Sequence, residues 1–139
     1  FDNDTIETVT RLVKWHDYRF TLTPANMRKA TNKIGEDIME LLYEVKRADI
    51  LAQNPATHDE KLTKLSQAKE LYQSVQRKKE CINLKMLRIN GKDLLELGYR
   101  PGIKIGETLN KLLEEVLENP KLNEKEILIE KAMEYKGLR

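Results

Sequence analysis

The sequence has 139 residues, of which 35% are charged and 6% aromatic, and its formal net charge is +2. This length fits one domain, or one and a half small ones, and so weak a global charge indicates no particular partner. The single cysteine, Cys81, excludes an internal disulfide, and no apolar run approaches the roughly 18 residues of a membrane span. We therefore expect no membrane partner. Few Gly and Pro residues beside many Leu, Lys and Glu predict an all-α fold.

The first fifty residues carry the patterns of three helices. Apolar residues at spacings of three and four predict a helix over residues 4–16. Thr23 and Pro24 form a helix start, because Thr caps backbone N–H groups and Pro fits the first turn. The short helix behind them is expected to end near Gly35, and a stronger helix is expected over 36–52.

Asp49 lies on the helix predicted over 36–52 and follows Val45 by four residues. It therefore shares a face with the apolar stripe that we expect to be buried. That stripe consists of Ile38, Leu41, Leu42, Val45 and Ala48. A carboxylate on a buried face has to be paired, hydrogen-bonded or bound to metal. We favour a buried structural Asp49, with a metal ligand or catalytic acid as the alternative.

Asn54 and Pro55 break the helical pattern and mark the predicted boundary between residues 1–56 and 57–139. Thr57 and Glu60 have the spacing of a capping box. Apolar spacing continues from there to Met86. This predicts one long connecting helix of about thirty residues, which would span roughly 40 Å, followed by a C-terminal helical arm.

The arm contains a glycine-bounded turn between two helices. A short helix over 93–97 is expected to stop at Gly98, and a second helix is expected over 103–117, directly after Gly102. The first N–H groups of this second helix stay free beside the turn, and Arg100, Lys104 and Lys92 lie next to it in the sequence. This combination predicts a phosphate site. The alternative is a plain turn between packed helices.

Charge is distributed unevenly along the second half of the chain. Residues 77–106 carry eight basic and three acidic side chains, or +5, and residues 107–130 carry three basic and seven acidic ones, or −4. The basic stretch favours a nucleic-acid backbone as partner and adds Arg77, Lys78 and Lys79 as candidate RNA contacts. A solvated charged face is the alternative. The last helix is expected over 124–135, behind a capping box of Asn123 and Glu126.

Three linked motifs occupy the arm: Gly-Lys-Asp-Leu from residue 91, Gly-x-x-Pro-Gly from residue 98 and Ile-Gly-x-x-Leu from residue 105. This pattern resembles the C-terminal arm of bacterial CCA-adding tRNA nucleotidyltransferases and the related poly(A) polymerases. Upstream, residues 12–17 and 46–52 look like the second half of the HD-type helical domain that some of these proteins carry. The resemblance covers nearly the whole chain.

The resemblance implies a division of labour within a longer protein. Because the sequence begins at Phe1 and not at Met, we expect a fragment that lacks the nucleotidyltransferase head and its paired metal-binding aspartates. We expect Mg²⁺ in that head, no cofactor and no catalytic residue in the fragment, and no transferase activity of the fragment alone. Asp49 matches the late metal ligand of HD domains, but the earlier ligands would precede Phe1, so the metal site is incomplete.

The resemblance implies a cytoplasmic RNA-binding module that positions tRNA for 3′-end nucleotide addition by the head. The parent would add CCA, A alone or poly(A). Two alternatives stay open: part of a metal-dependent HD-type phosphohydrolase, and a structural or dimerising helical module. The expected partner is tRNA or another RNA, and a dimer is compatible with the sequence.

Overall fold

The structure is a computed structural model that describes residues 2–137. Within that range every regular element is helical, which confirms the all-α prediction. The seven α-helices there are α1 (Asn3–Trp15), α2 (Pro24–Ile34), α3 (Met39–Leu51), α4 (His58–Arg77), α5 (Gly91–Glu96), α6 (Ile103–Glu118) and α7 (Lys125–Lys136). Each helix in the described part of the chain is too short or too polar to cross a lipid bilayer.

The chain divides between Lys79 and Glu80 into two compact units, later than the boundary expected at residue 56. Helix α4 packs on α2 and α3 and therefore belongs to the first unit. The predicted helix of about thirty residues is not formed, since α4 spans 20 residues and ends at Arg77. Lys79 has φ of 51°, a left-handed conformation that stops the helix. Met86, which the apolar spacing placed on the predicted long helix, packs against the core of the second unit.

Helices α2, α3 and α4 supply most of the core of the first unit. Its buried apolar residues are Met27, Ala30, Ile34, Ile38, Met39, Leu42, Tyr43, Ala68, Tyr72 and Val75. The predicted start of α2 is confirmed, because the Thr23 side chain accepts a hydrogen bond from the Asn26 N–H and Pro24 occupies the first turn. Gly35 ends α2 with φ of 110°. The residues that start and end α2 in the structure are therefore those that the sequence predicted.

Helix α3 buries only part of the stripe predicted for it. Ile38, just before the helix, and Leu42 are buried as predicted, and Met39 and Tyr43 are buried beside them. Leu41 is 49% exposed, Val45 is 37% exposed and Ala48 is exposed, so this side of the helix faces solvent. Asp49 consequently lies in solvent, where its Oδ2 accepts a hydrogen bond from Gln53 Nε2 at 3.1 Å. The prediction of a buried structural Asp49 is wrong.

Neither predicted capping box forms, because the capping side chains bind elsewhere. The Thr57 hydroxyl donates to the carbonyl of Asn54 at 3.0 Å, and Asn54 itself caps the short 3-10 turn that precedes α4. Glu124, not Asn123, precedes α7. The Asn123 amide instead donates to the Met86 carbonyl at 3.0 Å and accepts from the Arg88 N–H at 2.9 Å. Asn123 therefore fastens the segment before α5 to the segment before α7 within the second unit.

The second unit is built around α6. Its core consists of Cys81, Leu87, Ile89, Leu94, Tyr99, Leu112, Leu113, Val116, Leu117, Leu128 and Ala132. At the centre of α6, Leu112 and Val116 are fully enclosed. A reciprocal capping box of Asn90 and Asp93 starts α5. The two helices that flank the predicted turn are thus fixed by one shared core.

Candidate nucleic-acid interface

The turn between α5 and α6 is anchored at both ends. Gly98 and Gly102 have φ of 94° and 137°, which glycine adopts at little cost. The Tyr99 N–H donates to the Leu94 carbonyl at 3.0 Å and closes α5. The Tyr99 ring is buried, and its hydroxyl donates to the carbonyl of Ala132 on α7 at 2.6 Å. The turn is therefore held in place by α7 as well as by its own backbone.

Helix α6 begins beside open space. Gly102, the residue that precedes it, has no side chain with which to cap the first N–H groups. A Cβ placed on Gly102 would meet no described atom within 4 Å. The partial positive charge at the start of a helix attracts anions, and Lys104 adds a full charge in the first turn. The predicted helix start is therefore accessible to a phosphate.

A groove of about 500 Å³ runs from the turn along α6 to the end of α7. We call it the cationic groove, and it is lined by Gly98, Tyr99, Arg100, Lys104, Glu107, Thr108, Lys111, Tyr135 and Lys136. Four of these side chains are cations and one is a carboxylate. Positive charges that converge on a concave surface raise the local concentration of anions. The groove is thus suited to a polyanion.

Helix α7 contributes to the cationic groove through Tyr135 and Lys136. Lys136 Nζ would lie 3.1 Å from a Cβ placed on Gly98, so its ammonium lies against the turn. The Tyr135 hydroxyl donates to Glu115 Oε2. Burial, together with that carboxylate, raises the pKa of Tyr135, so the phenol stays protonated and keeps its donor role. Lys111 Nζ lies 4.0 Å from the centre of the Tyr135 ring.

The predicted RNA-contacting residues fall into three places. Arg100 and Lys104 line the cationic groove, and Gly102 precedes α6 beside it without lining it. Lys92 is exposed near the start of α5, where the capping box already satisfies backbone N–H groups. The three basic residues at the end of α4 and just after it are exposed in the first unit, and they are Arg77, Lys78 and Lys79. Of the predicted residues, only Arg100 and Lys104 therefore lie together in the cationic groove.

Lys111, Lys136 and Tyr135 were missed by the sequence analysis. Lys111 could have been found, because it follows Lys104 by seven residues, which is two helical turns, and so shares its face. Lys136 reaches the groove only through the packing of α7 on α6. No local pattern connects it to the turn.

Asp49 has no metal-binding partners in the part of the chain that the structure describes. Over residues 2–137, no group of three or more His, Cys, Asp or Glu side chains is close enough to hold a metal ion. His16 lies 3.2 Å from Asp17, and Asp49 contacts Gln53. The described residues therefore supply no complete metal centre around Asp49.

Comparison with known proteins shows the family. Residues 1–132 match the family described as tRNA nucleotidyltransferase domain 2, putative. A stretch of 49 residues is 53% identical to the CCA-adding enzyme of Ligilactobacillus salivarius strain UCC118, and it covers 34% of this chain and 12% of that relative. No solved structure matches the chain significantly. Because the family match spans almost the whole sequence, the chain belongs to the tRNA nucleotidyltransferase domain 2 family.

Proposed function

We propose that this chain binds tRNA and positions its 3′ end for nucleotide addition by a catalytic domain of the same polypeptide. The observation that carries the proposal is the cationic groove, which is lined by four cations, two of them, Arg100 and Lys104, next to the uncapped start of α6 in the chain. Family membership supports tRNA as the class of RNA. The name of the similar protein, CCA-adding enzyme, supports end addition as the reaction of the whole polypeptide.

The groove is suited to the phosphates of RNA and not to its bases. Lysine and arginine side chains neutralise phosphates without reading sequence, whereas uncharged N–H groups at a helix start give the contact a direction. Structured RNA is recognised largely through its shape and its backbone. A groove held by the Tyr99 and Tyr135 hydrogen bonds can therefore hold an RNA backbone in one orientation.

The nucleotide-addition chemistry would belong to the catalytic domain. We propose that Mg²⁺ is bound there by carboxylates, and that the choice among CCA, A-only and poly(A) addition is made there. Lys92, Arg77, Lys78 and Lys79 are exposed and would add sequence-independent phosphate contacts. A cytoplasmic location follows from the proposed tRNA substrate.

Binding of labelled tRNA to the 139-residue chain tests the proposal. The double change Arg100→Ala and Lys104→Ala should weaken binding about tenfold or more, because each removes a charged contact to phosphate. The matched control, Lys85→Ala with Lys121→Ala, removes two exposed cations of the second unit that do not line the groove. Equal affinities of the two folded double variants would contradict the proposal.

A further inference from the structure

The first unit contains a cavity of about 410 Å³ between the 16–22 segment and helices α3 and α4. Tyr18 and Phe20 contribute aromatic rings to its wall, and the charged side chains that line it are Arg19, Lys46, Lys61, Lys64, Asp17 and Asp49. A volume of this size lies in the range of small-molecule sites, which combine apolar walls with a few polar groups. The cavity lies entirely in the first unit and shares no residue with the cationic groove.

The aromatic wall of this cavity is held by its neighbours. The ring centres of Tyr18 and Phe20 are 5.3 Å apart, and those of Tyr18 and Trp15 are 5.7 Å apart. Phe20 packs in turn against Tyr43, with 5.5 Å between ring centres, and lies 5.4 Å from Lys46 Nζ. Lys46 Nζ donates to the His16 carbonyl at 3.0 Å and to the Tyr18 carbonyl, which fastens the segment to α3. Desolvation lowers the pKa of Lys46, as expected for an ammonium enclosed by these groups. The wall is therefore pre-formed and not assembled by a ligand.

The charges at the cavity limit the kind of ligand that fits. Arg19 is exposed, and Lys64 is exposed with a salt bridge of 3.3 Å to Glu60, so both can reach a ligand. Asp49 offers an acceptor on the α3 side. A bare inorganic anion would leave the rings unused and would meet the carboxylates of Asp17 and Asp49. A nucleotide supplies a flat base for the rings, polar edges for hydrogen bonds and a phosphate for the cations.

We propose that this cavity binds one nucleotide, with its base against the ring of Tyr18 and its phosphate at Arg19 and Lys64. The nucleotide is either free or part of a single-stranded RNA, and the second source rests on the proposed function. Stacking on aromatic rings accepts every base, so the site is tolerant of sequence. The first unit would thus contact RNA through a base, whereas the groove of the second unit contacts phosphates.

Titration of the 139-residue chain with AMP tests this site. Trp15 is the only tryptophan of the chain and touches the aromatic wall, so its fluorescence reports occupancy. The wild type should show a saturable change, and Arg19→Ala with Lys64→Ala should weaken AMP binding about tenfold or more. The matched control is Lys69→Ala, an exposed cation on α4 outside the cavity, which should bind as the wild type does.

Competition experiments show whether the site takes a free nucleotide or one within RNA, and a Tyr18 variant tests the aromatic wall. Inorganic phosphate should compete poorly, and a short single-stranded RNA should compete with AMP if the site takes a nucleotide within RNA. Tyr18→Leu keeps apolar bulk but removes the ring, and calorimetry should show weaker AMP binding. The proposal is overturned if neither AMP nor the RNA binds saturably, or if the Arg19 and Lys64 variant binds like Lys69→Ala. If the variant with Arg100→Ala and Lys104→Ala loses tRNA binding but still binds AMP, the result tests the cationic groove and leaves the nucleotide site of the first unit unaffected.

Discussion

Lys111 Nζ lies 4.0 Å from the centre of the Tyr135 ring, where α6 and α7 meet at the cationic groove. Tyr135 is fixed in turn by its hydrogen bond to Glu115. An ammonium over an aromatic face keeps its charge and loses little solvation. The pair therefore places a cation of α6 at a defined position in the groove.

Lys111→Gln should weaken tRNA binding and lower the slope of log affinity against log salt by about one unit, because one phosphate contact is removed. The matched control is Lys121→Gln, an exposed cation outside the groove, which should preserve both quantities. Fluorescence anisotropy at several salt concentrations measures them. A Lys111→Gln variant with the wild-type slope would show that Lys111 does not contact RNA phosphate.

Asn123→Ala should destabilise the chain by about 1–2 kcal/mol, because it leaves the Arg88 N–H and the Met86 carbonyl without their partner. Asn110→Ala is the matched control, since Asn110 is exposed on α6 and alanine is the better helix former. Urea unfolding monitored by circular dichroism compares the two variants. A control that loses as much free energy of unfolding as Asn123→Ala would show that the bridge contributes nothing.

The helices around the turn were predictable because their signals are local. Gly98 and Gly102 need positive φ, and the apolar stripe of α6 leaves no doubt about its buried face. The end of α4 was not predictable in this way, because Lys78 and Lys79 have good helix propensity and neither Gly nor Pro marks the left-handed residue there. The buried face of α3 was predicted only in part, because apolar residues lie on more than one side of this helix. Asp49 therefore lies in solvent and not in the core.

Tyr72 should make the stability of the chain fall at alkaline pH. Its side chain is buried, and burial with the charges of Glu36 and Glu40 raises its pKa to about 12 from 10.0. Between these values the unfolded chain loses the phenolic proton while the folded chain keeps it. The stabilisation is therefore complete below about pH 10 and is lost as pH rises toward 12.

Tyr72→Phe removes this titration and should flatten the decline of the melting temperature between pH 10 and pH 12. The variant should also be less stable than the wild type at neutral pH, since it lacks the hydroxyl that accepts from Gln76 Nε2 at 2.8 Å and donates to the Glu36 carbonyl at 3.5 Å. Thermal unfolding of both proteins across this pH range measures the difference. Parallel curves would show that Tyr72 titrates alike in the folded and unfolded chains.

The 139-residue chain alone should not add nucleotides to tRNA. The proposed function assigns the metal-binding carboxylates for phosphoryl transfer to the catalytic domain and not to this chain. Incorporation of labelled CTP or ATP into tRNA, with Mg²⁺ present and a no-protein control, measures this. Incorporation above the control would place catalytic residues in this chain.

Part of the candidate site followed from sequence and part from the fold. Arg100 and Lys104 are neighbours of the turn in the sequence, so a local pattern was enough to select them. Lys136 lies more than thirty residues further on and joins the groove through the packing of α7. Arg77 and its two neighbours were selected by a charge run that crosses the division between the two units. Charge counted along the chain does not identify a surface.

The salt dependence of tRNA binding by Arg100→Ala with Lys104→Ala tests the cationic groove most directly. Affinities are measured at several salt concentrations for the wild type, for this double variant and for Lys85→Ala with Lys121→Ala, with circular dichroism as the folding check. If RNA binds at the groove, the slope of log affinity against log salt should fall by about two units in the Arg100 and Lys104 variant only. A folded variant with the wild-type affinity and the wild-type slope would contradict RNA binding at this groove.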